Sequence, residues 1–171
     1  MGRVAPPVET DWRHRFQRMV AELDYPIFFV TTAAAGRLSG CLVGFVTQIS
    51  IHPPRMLVGI SRRNRTYRVA REARALAVHF PGKDQLALAG LFGGETGDEV
   101  DKFAGCEWSE GPEGVPILDD CPSWAVGRIA QRLDIGDHTG FVIDVIDARH
   151  ERTGPQLSFQ DVRGIEPGHA P

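Results

Sequence analysis

The chain has 171 residues, a length that favours one compact domain built around a single core. Its 42% hydrophobic and 24% charged residues, with a formal net charge of -3, predict a globular protein with no general attraction to nucleic acid or to anionic lipid. Its apolar stretches are shorter than the ~18 residues of a membrane helix, and the N-terminus has no apolar signal segment. We therefore expect a cytoplasmic protein without membrane or nucleic-acid partners.

The cysteines and histidines show no metal-binding spacing. Cys41, Cys106 and Cys121 form no CxxC pair, and no HExxH sequence is present. We expect reduced, mostly buried thiols and no bound metal.

The first predicted element is an amphipathic helix. Residues 1–9 are expected to form a flexible arm ahead of one domain at 10–171, with Thr10 as the helix N-cap. Apolar residues recur at helical spacing at Trp12, Phe16, Met19, Val20 and Leu23. The pattern predicts a helix that packs on the domain and ends at Tyr25-Pro26.

The rest of the chain favours strands. Short β-branched and aromatic segments predict strands at 27–32, 39–51, 56–61, 76–80, 124–133, 141–148 and 156–159. Helices are predicted at 66–73 and, around a glycine break at 93–94, across 83–103. Glycines at 40 and 44 would let the long second strand bend. About six or seven strands with inserted helices predict a mainly β, antiparallel barrel rather than βαβ units.

Several common catalytic motifs are absent from the sequence. No GxGxxG follows a strand, no GK[ST] follows the glycines at 90–97, and no GxSxG is present. An enzyme of this sequence would therefore take its reactive chemistry from a bound cofactor.

The segment 40–54, GCLVGFVTQISIHPP, carries a family resemblance. It resembles the segment by which flavin reductase-like proteins of the FMN-binding split-barrel superfamily are recognised, with Gly40, Ser50, Pro53 and Pro54 in agreement. The flanking sequences FFVTTAAAG and RMLVGISRRNRTYRVA, then LAVHF, QLALAGLF, DKF and GDH, follow in the family's order. The resemblance spans residues 20–160.

The chain also departs from the family pattern. Leu42, Gly44 and Phe45 stand where the family usually has Thr and Ser, Gln48 replaces a Ser, and His52 replaces an acid. Hydroxyls that could bind the flavin are therefore missing, which leaves the identity of the flavin open.

The resemblance implies a split barrel in which NADH or NADPH reduces FMN, or FAD, by hydride transfer. It further implies a homodimer and a monooxygenase that takes up the reduced flavin. Two alternatives remain at this point: a flavin-binding module without turnover, and an oxidoreductase that binds a deazaflavin.

The candidate phosphate site is the basic loop before the helix at 66–73. Its residues are Ser61, Asn64, Arg65 and Thr66, where arginine and free N–H groups would converge on a phosphate. The position after the Pro-Pro strand is where the family places phosphate contacts. The alternative is a solvated basic loop.

The candidate ring site is the strand that follows Gly40. Its backbone could bind the flavin ring edge at Cys41, Leu42, Val43, Gly44, Phe45 and Thr47. The resemblance adds Lys102 and Phe103 near the cofactor, although the pair could instead end a helix on the core. It also places His138 at the flavin or nicotinamide as the candidate catalytic donor, although a histidine after a turn is often only exposed. His79 is predicted to be a buried core residue.

Overall fold

The computed structural model describes residues 8–168. The strands are β1 Phe28–Ala34, β2 Arg37–Val43, β3 Val46–Ser50, β4 Arg55–Ser61, β5 Ala75–His79, β6 Trp108–Glu110, β7 Pro116–Leu118, β8 Trp124–Asp134 and β9 His138–Arg149. The α-helices are α1 Val8–Ala21, α2 Arg65–Ala70, α3 Leu86–Ala89 and α4 Phe159–Val162. A π-helical turn covers Gly90–Gly94, and 3-10 turns cover Lys83–Gln85, Lys102–Gly105 and Pro112–Gly114.

The main sheet is antiparallel and curled. Seven strands pair in the order β2-β1-β5-β8-β9-β4-β3. In a flat sheet β2 and β4 would lie about 24 Å apart, at the usual spacing of about 4.8 Å between strands. Instead Cys41 and Val43 of β2 share one hydrophobic cluster with Val58 and Ile60 of β4. The predicted mainly β, antiparallel split barrel is therefore confirmed, and the sheet stays open because its end strands, β2 and β3, do not pair.

The structure differs from the predicted strands in three places. Residues 39–51 form two strands, because the chain breaks at Gly44 and the Phe45 carbonyl instead accepts a hydrogen bond from Gly59 N at 2.7 Å. Residues 156–159 make only isolated bridges, since Ser158 and Gln156 pair singly before α4 begins. The small hairpin of β6 and β7 was not predicted.

Helix α1 begins earlier than predicted and does not pack on the sheet. It starts at Val8, so Thr10 lies inside the helix rather than at its N-cap, and residues 1–7 of the predicted arm lie outside the described residues. The side chains of its apolar stripe are 52% to 66% exposed at Trp12, Phe16, Met19 and Leu23. The prediction that this helix packs on the domain was wrong. Its C-terminal end is held instead by Gln160, whose Nε2 donates to the Leu23 carbonyl at 2.8 Å.

His79 is buried in the core, as predicted. Its Nδ1 donates to the Phe29 carbonyl oxygen at 3.1 Å, and its Nε2 accepts from the backbone N–H of Leu118 at 3.0 Å. Burial lowers the pKa of His79 to about 4, so the ring is neutral at physiological pH. The histidine therefore ties β5 to β1 and β7. Among residues 8–168, no helix combines the length and apolar character that crossing a bilayer requires.

Candidate functional site

A cavity of about 470 Å³, termed the first cavity, opens beside β2. Its wall includes most of the predicted site residues: Cys41, Leu42, Val43, Gly44, Phe45, Ser61, Asn64, Lys102 and His138. These residues come from the strand after Gly40, from the loop after β4, from the 3-10 turn at Lys102–Gly105 and from the start of β9. The fold thus brings together segments that are far apart in sequence.

The backbone of Leu42 faces this cavity because of the hairpin register. Ala35 and Gly36, with φ of 49° and 73°, form the two-residue turn between β1 and β2. Beyond such a turn, the residue pairs of β1 and β2 are alternately hydrogen-bonded and not hydrogen-bonded to each other. Gly40 and Leu42 belong to the pairs that are not hydrogen-bonded, so their N–H and C=O groups point away from β1. The Gly40 carbonyl does accept from Lys102 Nζ at 3.3 Å on that side. Leu42 therefore offers one N–H donor and one C=O acceptor to the cavity.

Gly44, which follows β2, lies against a neighbouring aromatic ring. A β-carbon at Gly44 would lie 2.7 Å from Cε2 of Tyr25, whose ring stacks on Phe159 with centroids 4.8 Å apart. The glycine thus makes room for an aromatic residue that lines the first cavity.

Lys102 is a buried cation in the wall of the first cavity. Its side chain is only 5% exposed, and Nζ donates to the carbonyl oxygens of Gly40 at 3.3 Å and Phe92 at 3.0 Å. Burial lowers the pKa of Lys102, against the opposing effects of nearby Cys41 and Glu95. Burial also raises the pKa of the Cys41 thiol to about 11, so the thiol stays protonated. Lys102 therefore connects β2 to the π-helical turn and provides the positive charge of this wall.

The basic loop contributes less to the first cavity than predicted. Ser61 and Asn64 line it, and the Asn64 side chain accepts from Thr66 N at 2.8 Å. The Thr66 hydroxyl is buried and shares a hydrogen bond of 3.0 Å with Ser39 Oγ, so it does not reach the cavity. Thr47 lies on the exposed part of β3 and is also outside the cavity. Thr47 and Thr66 therefore do not line the first cavity, and their contacts with a cofactor stay predictions.

A second cavity of about 660 Å³ adjoins the first. It contains the predicted residues Arg65 and Phe103, and it shares Gly97 and Lys102 with the first cavity. The Phe103 ring contacts the Trp108 ring edge-on, with centroids 5.9 Å apart. Apart from Thr47 and Thr66, the predicted cofactor residues are therefore divided between two adjoining cavities.

His138 stands in the wall of the first cavity with its orientation fixed. Its Nδ1 donates to the Asp137 carboxylate at 2.6 Å, and its ring meets Phe45 at a centroid distance of 5.1 Å. The hydrogen bond from His138 is the main cause that lowers the pKa of Asp137. With Nδ1–H bound to Asp137, Nε2 of the neutral ring is an acceptor, and Nε2 can donate only when the ring is protonated. The geometry is compatible with the predicted donor, whose role remains a prediction.

The C-terminal segment covers the first cavity, and the sequence analysis did not anticipate it. Its lining residues are Phe159, Val162, Arg163, Ile165 and Pro167. The segment is held in place by Gly168, whose N–H donates to the Gly93 carbonyl at 3.1 Å. Arg163 adds a second cation, with Nη1 donating to Gln160 Oε1 at 3.1 Å. The only local signal was the spacing of apolar residues at 159, 162 and 165, which is too short to indicate a site.

Known proteins resemble this chain over most of its length. The family model described as "Flavin reductase like domain" matches residues 20–165. The FMN reductase (NADH) RutF of Pseudomonas syringae pv. syringae is 29% identical over 144 residues, covering 84% of this chain and 80% of that protein. The reductase component of 4-nitrophenol 4-monooxygenase/4-nitrocatechol 2-monooxygenase from Rhodococcus opacus is 29% identical over 144 residues, covering 84% and 75%. The crystal structure of a flavin reductase domain protein from Arthrobacter sp. FB24 superimposes with a TM-score of 0.78 at 26% identity, covering 85% of this chain and 89% of that one.

Proposed function

Because the chain belongs to the flavin reductase-like domain family, we propose that it is an NAD(P)H:flavin oxidoreductase acting on FMN, with FAD as the alternative flavin. The observation that carries the proposal is the first cavity. Its wall joins the outward backbone of Leu42, the buried cation Lys102 and the oriented imidazole of His138. A reaction that moves a hydride needs this kind of site, in which the protein positions the reactants and supplies charge.

The residues present fit a flavin. A volume of about 470 Å³ and a wall that is mainly apolar, with a few polar groups, are typical of sites for small organic ligands. The N–H and C=O of Leu42 match a ring edge that carries both acceptors and donors. Lys102 and Arg163 supply positive charge for a phosphate, and Arg65 stands at the border with the second cavity.

When bound, the flavin would accept a hydride from NADH or NADPH and pass electrons to a further acceptor. The chain's own residues would orient and shield it. Leu42 would hold the ring edge, and the C-terminal segment with Phe159 and Ile165 would exclude water from one side. Protonated His138, oriented by Asp137 through Nδ1, would donate a hydrogen bond from Nε2 where charge develops.

We also propose a homodimer and a monooxygenase partner. The exposed apolar stripe of α1 supports the homodimer, because an isolated chain would leave Trp12, Phe16 and Met19 in water. The similarity to a protein named as a reductase component of a monooxygenase supports the partner.

Absorbance spectra of the purified protein with added FMN test the function. We expect FMN to bind and NADH to bleach its absorbance without oxygen, with steady NADH oxidation in air. Binding without bleaching would favour a flavin-binding module and contradict the reductase. Failure to bind FMN, with a deazaflavin recovered from the purified protein, would favour the other alternative.

A further inference from the structure

The second cavity has chemistry that the reduction of FMN does not require. This inference rests on the proposed function. The cavity holds about 660 Å³, enough for a nucleotide-sized ligand. Its chemically distinctive wall residues are Arg37, Arg65, Asp98, Glu99, Lys102 and Trp108.

The two cavities meet at a defined border. Gly97 and Lys102 belong to both walls. A β-carbon at Gly97 would lie 3.0 Å from Cδ of Arg65, so the arginine side chain packs directly along this border. A ligand that filled the first cavity and continued past Gly97 would enter the second cavity beside Arg65.

The guanidinium of Arg65 is weakly engaged within the described part of the chain. Its ion pair there is with Asp98, at an N–O distance of 3.9 Å. Arg68 already donates to both oxygens of Asp98 at 2.5 and 2.6 Å, and this hydrogen bonding is the main cause that lowers the pKa of Asp98. Arg65 can therefore offer its planar set of donors to a phosphate at the border.

The second cavity also has an aromatic side chain and carboxylates in its lining. Trp108 is 38% exposed, and its ring is supported edge-on by Phe103. An exposed indole provides a surface on which a purine can stack. Glu99 also lines the second cavity and is exposed, and carboxylates accept hydrogen bonds from the hydroxyls of a ribose. An aromatic face, a carboxylate and an arginine together match an adenosine phosphate.

We propose that the second cavity is an adenylate subsite that holds the adenosine monophosphate half of FAD while the flavin half occupies the first cavity. We favour FAD over a nicotinamide nucleotide as the source of the adenylate, because the two halves of FAD are linked through phosphates. That link would pass the border of the cavities at Gly97, beside Arg65. The adenosine half of a nicotinamide nucleotide has the same chemistry but no covalent link to the flavin. The subsite would add affinity for FAD, while FMN would still bind through the first cavity alone.

The test compares the Kd of FAD and of FMN in wild type and Trp108→Ala, by titration calorimetry. We expect the Kd of FAD to rise ~10-fold in the variant, since one base loses its stacking partner. The Kd of FMN should change by less than ~2-fold, because FMN has no adenosine. Leu86→Ala removes a similarly exposed apolar side chain, 50% exposed on α3 and outside both cavities, and serves as the control.

The other outcomes decide between sources of the adenylate. If Trp108→Ala leaves the Kd of FAD unchanged and raises the KM for NADH, the cavity receives the nicotinamide nucleotide and the FAD assignment is overturned. If neither value changes, the subsite itself is overturned. Glu99→Gln, an exposed and isosteric change, repeats the test where loss of Trp108 disturbs folding. Failure of the proposed function would show separately, as wild-type protein that does not bind FMN.

Discussion

Tyr25 fills the space that a side chain at Gly44 would need, with a β-carbon at position 44 placed 2.7 Å from Cε2 of the ring. Gly44→Ala must therefore push Tyr25 against Phe159, on which it stacks. We expect the free energy of unfolding to fall by about 1–3 kcal/mol, the usual cost of overpacking. Urea denaturation measures the change, and the Kd of FMN should rise because both rings line the first cavity.

Gly90→Ala is the matched control for this variant. A β-carbon at Gly90 meets nothing within 4 Å, and the residue has helical φ of -59°. The same substitution there should leave stability unchanged or slightly raised. Equal urea midpoints for wild type and Gly44→Ala would show that Tyr25 can move without cost.

Arg65 is predicted to bind the flavin phosphate from the border of the two cavities. Arg65→Ala should weaken FMN binding by about 1–3 kcal/mol, because charge-assisted hydrogen bonds are lost. Riboflavin, which lacks the phosphate, should bind both proteins alike. Arg71→Ala removes an exposed arginine that lies beyond the cavities, next to Glu72, and should change neither affinity. Equal FMN affinity in wild type and Arg65→Ala would refute the assignment.

His138→Ala should slow flavin reduction more than it weakens flavin binding. A positioned donor contributes most when charge develops during hydride transfer. Stopped-flow mixing with NADH measures the rate of flavin reduction, and titration with FMN measures the affinity.

His150→Ala is the control for the His138 experiment. His150 follows the end of β9, where it contacts Ser123 at 3.3 Å, and it lines neither cavity. Its loss should leave the rate of flavin reduction unchanged. Equal reduction rates for wild type and His138→Ala would contradict the role of His138 as a donor.

His79 should make the folded state sensitive to acid. Its pKa is about 4 in the folded chain against 6.5 for a free histidine, so protons bind preferentially to the unfolded chain. Its contribution to stability is complete above pH 6.5 and is lost as the pH falls towards about 4. His79→Gln should lower stability at neutral pH, since the bonds to Phe29 and Leu118 are disturbed, and should flatten the change over this range.

Urea denaturation at several pH values tests the His79 prediction. The difference in free energy of unfolding between wild type and His79→Gln cancels the contributions of groups common to both proteins. That difference should shrink as the pH falls from 6.5 towards 4. A difference that is constant across the series would contradict a buried, neutral histidine.

The stripe of α1 is expected to be a contact between two copies of the chain. Light scattering should give about twice the chain mass of 18.8 kDa, and Phe16→Glu should lower it to the monomer by placing a charge in the contact. Arg18→Glu, on the same helix but outside the apolar stripe, is the control. A wild-type monomer at micromolar concentration, with flavin present, would contradict the proposal.

The sequence by itself determined most strands and the family. Strand β4, the pair of long strands β8 and β9, and the buried position of His79 all follow from local composition and alternation. Such patterns depend on neighbours in sequence, which is why they can be recognised in a single chain. The ordered motifs likewise identified nine residues that line the first cavity, five of them in the segment 40–54.

The tertiary structure alone decided what surrounds those residues. Three contacts could not be predicted from the sequence, because nothing in the sequence relates the two residues of each pair. They are the contact of Tyr25 with Gly44, the hydrogen bond between Thr66 and Ser39, and the hydrogen bond from Gly168 to Gly93 that holds the C-terminal segment over the first cavity. A hydroxyl such as that of Thr66 looks equally available to a ligand until the strand beside it is placed. Burial and hydrogen-bond partners are properties of packed neighbours, so only the folded chain shows which polar groups a ligand can reach.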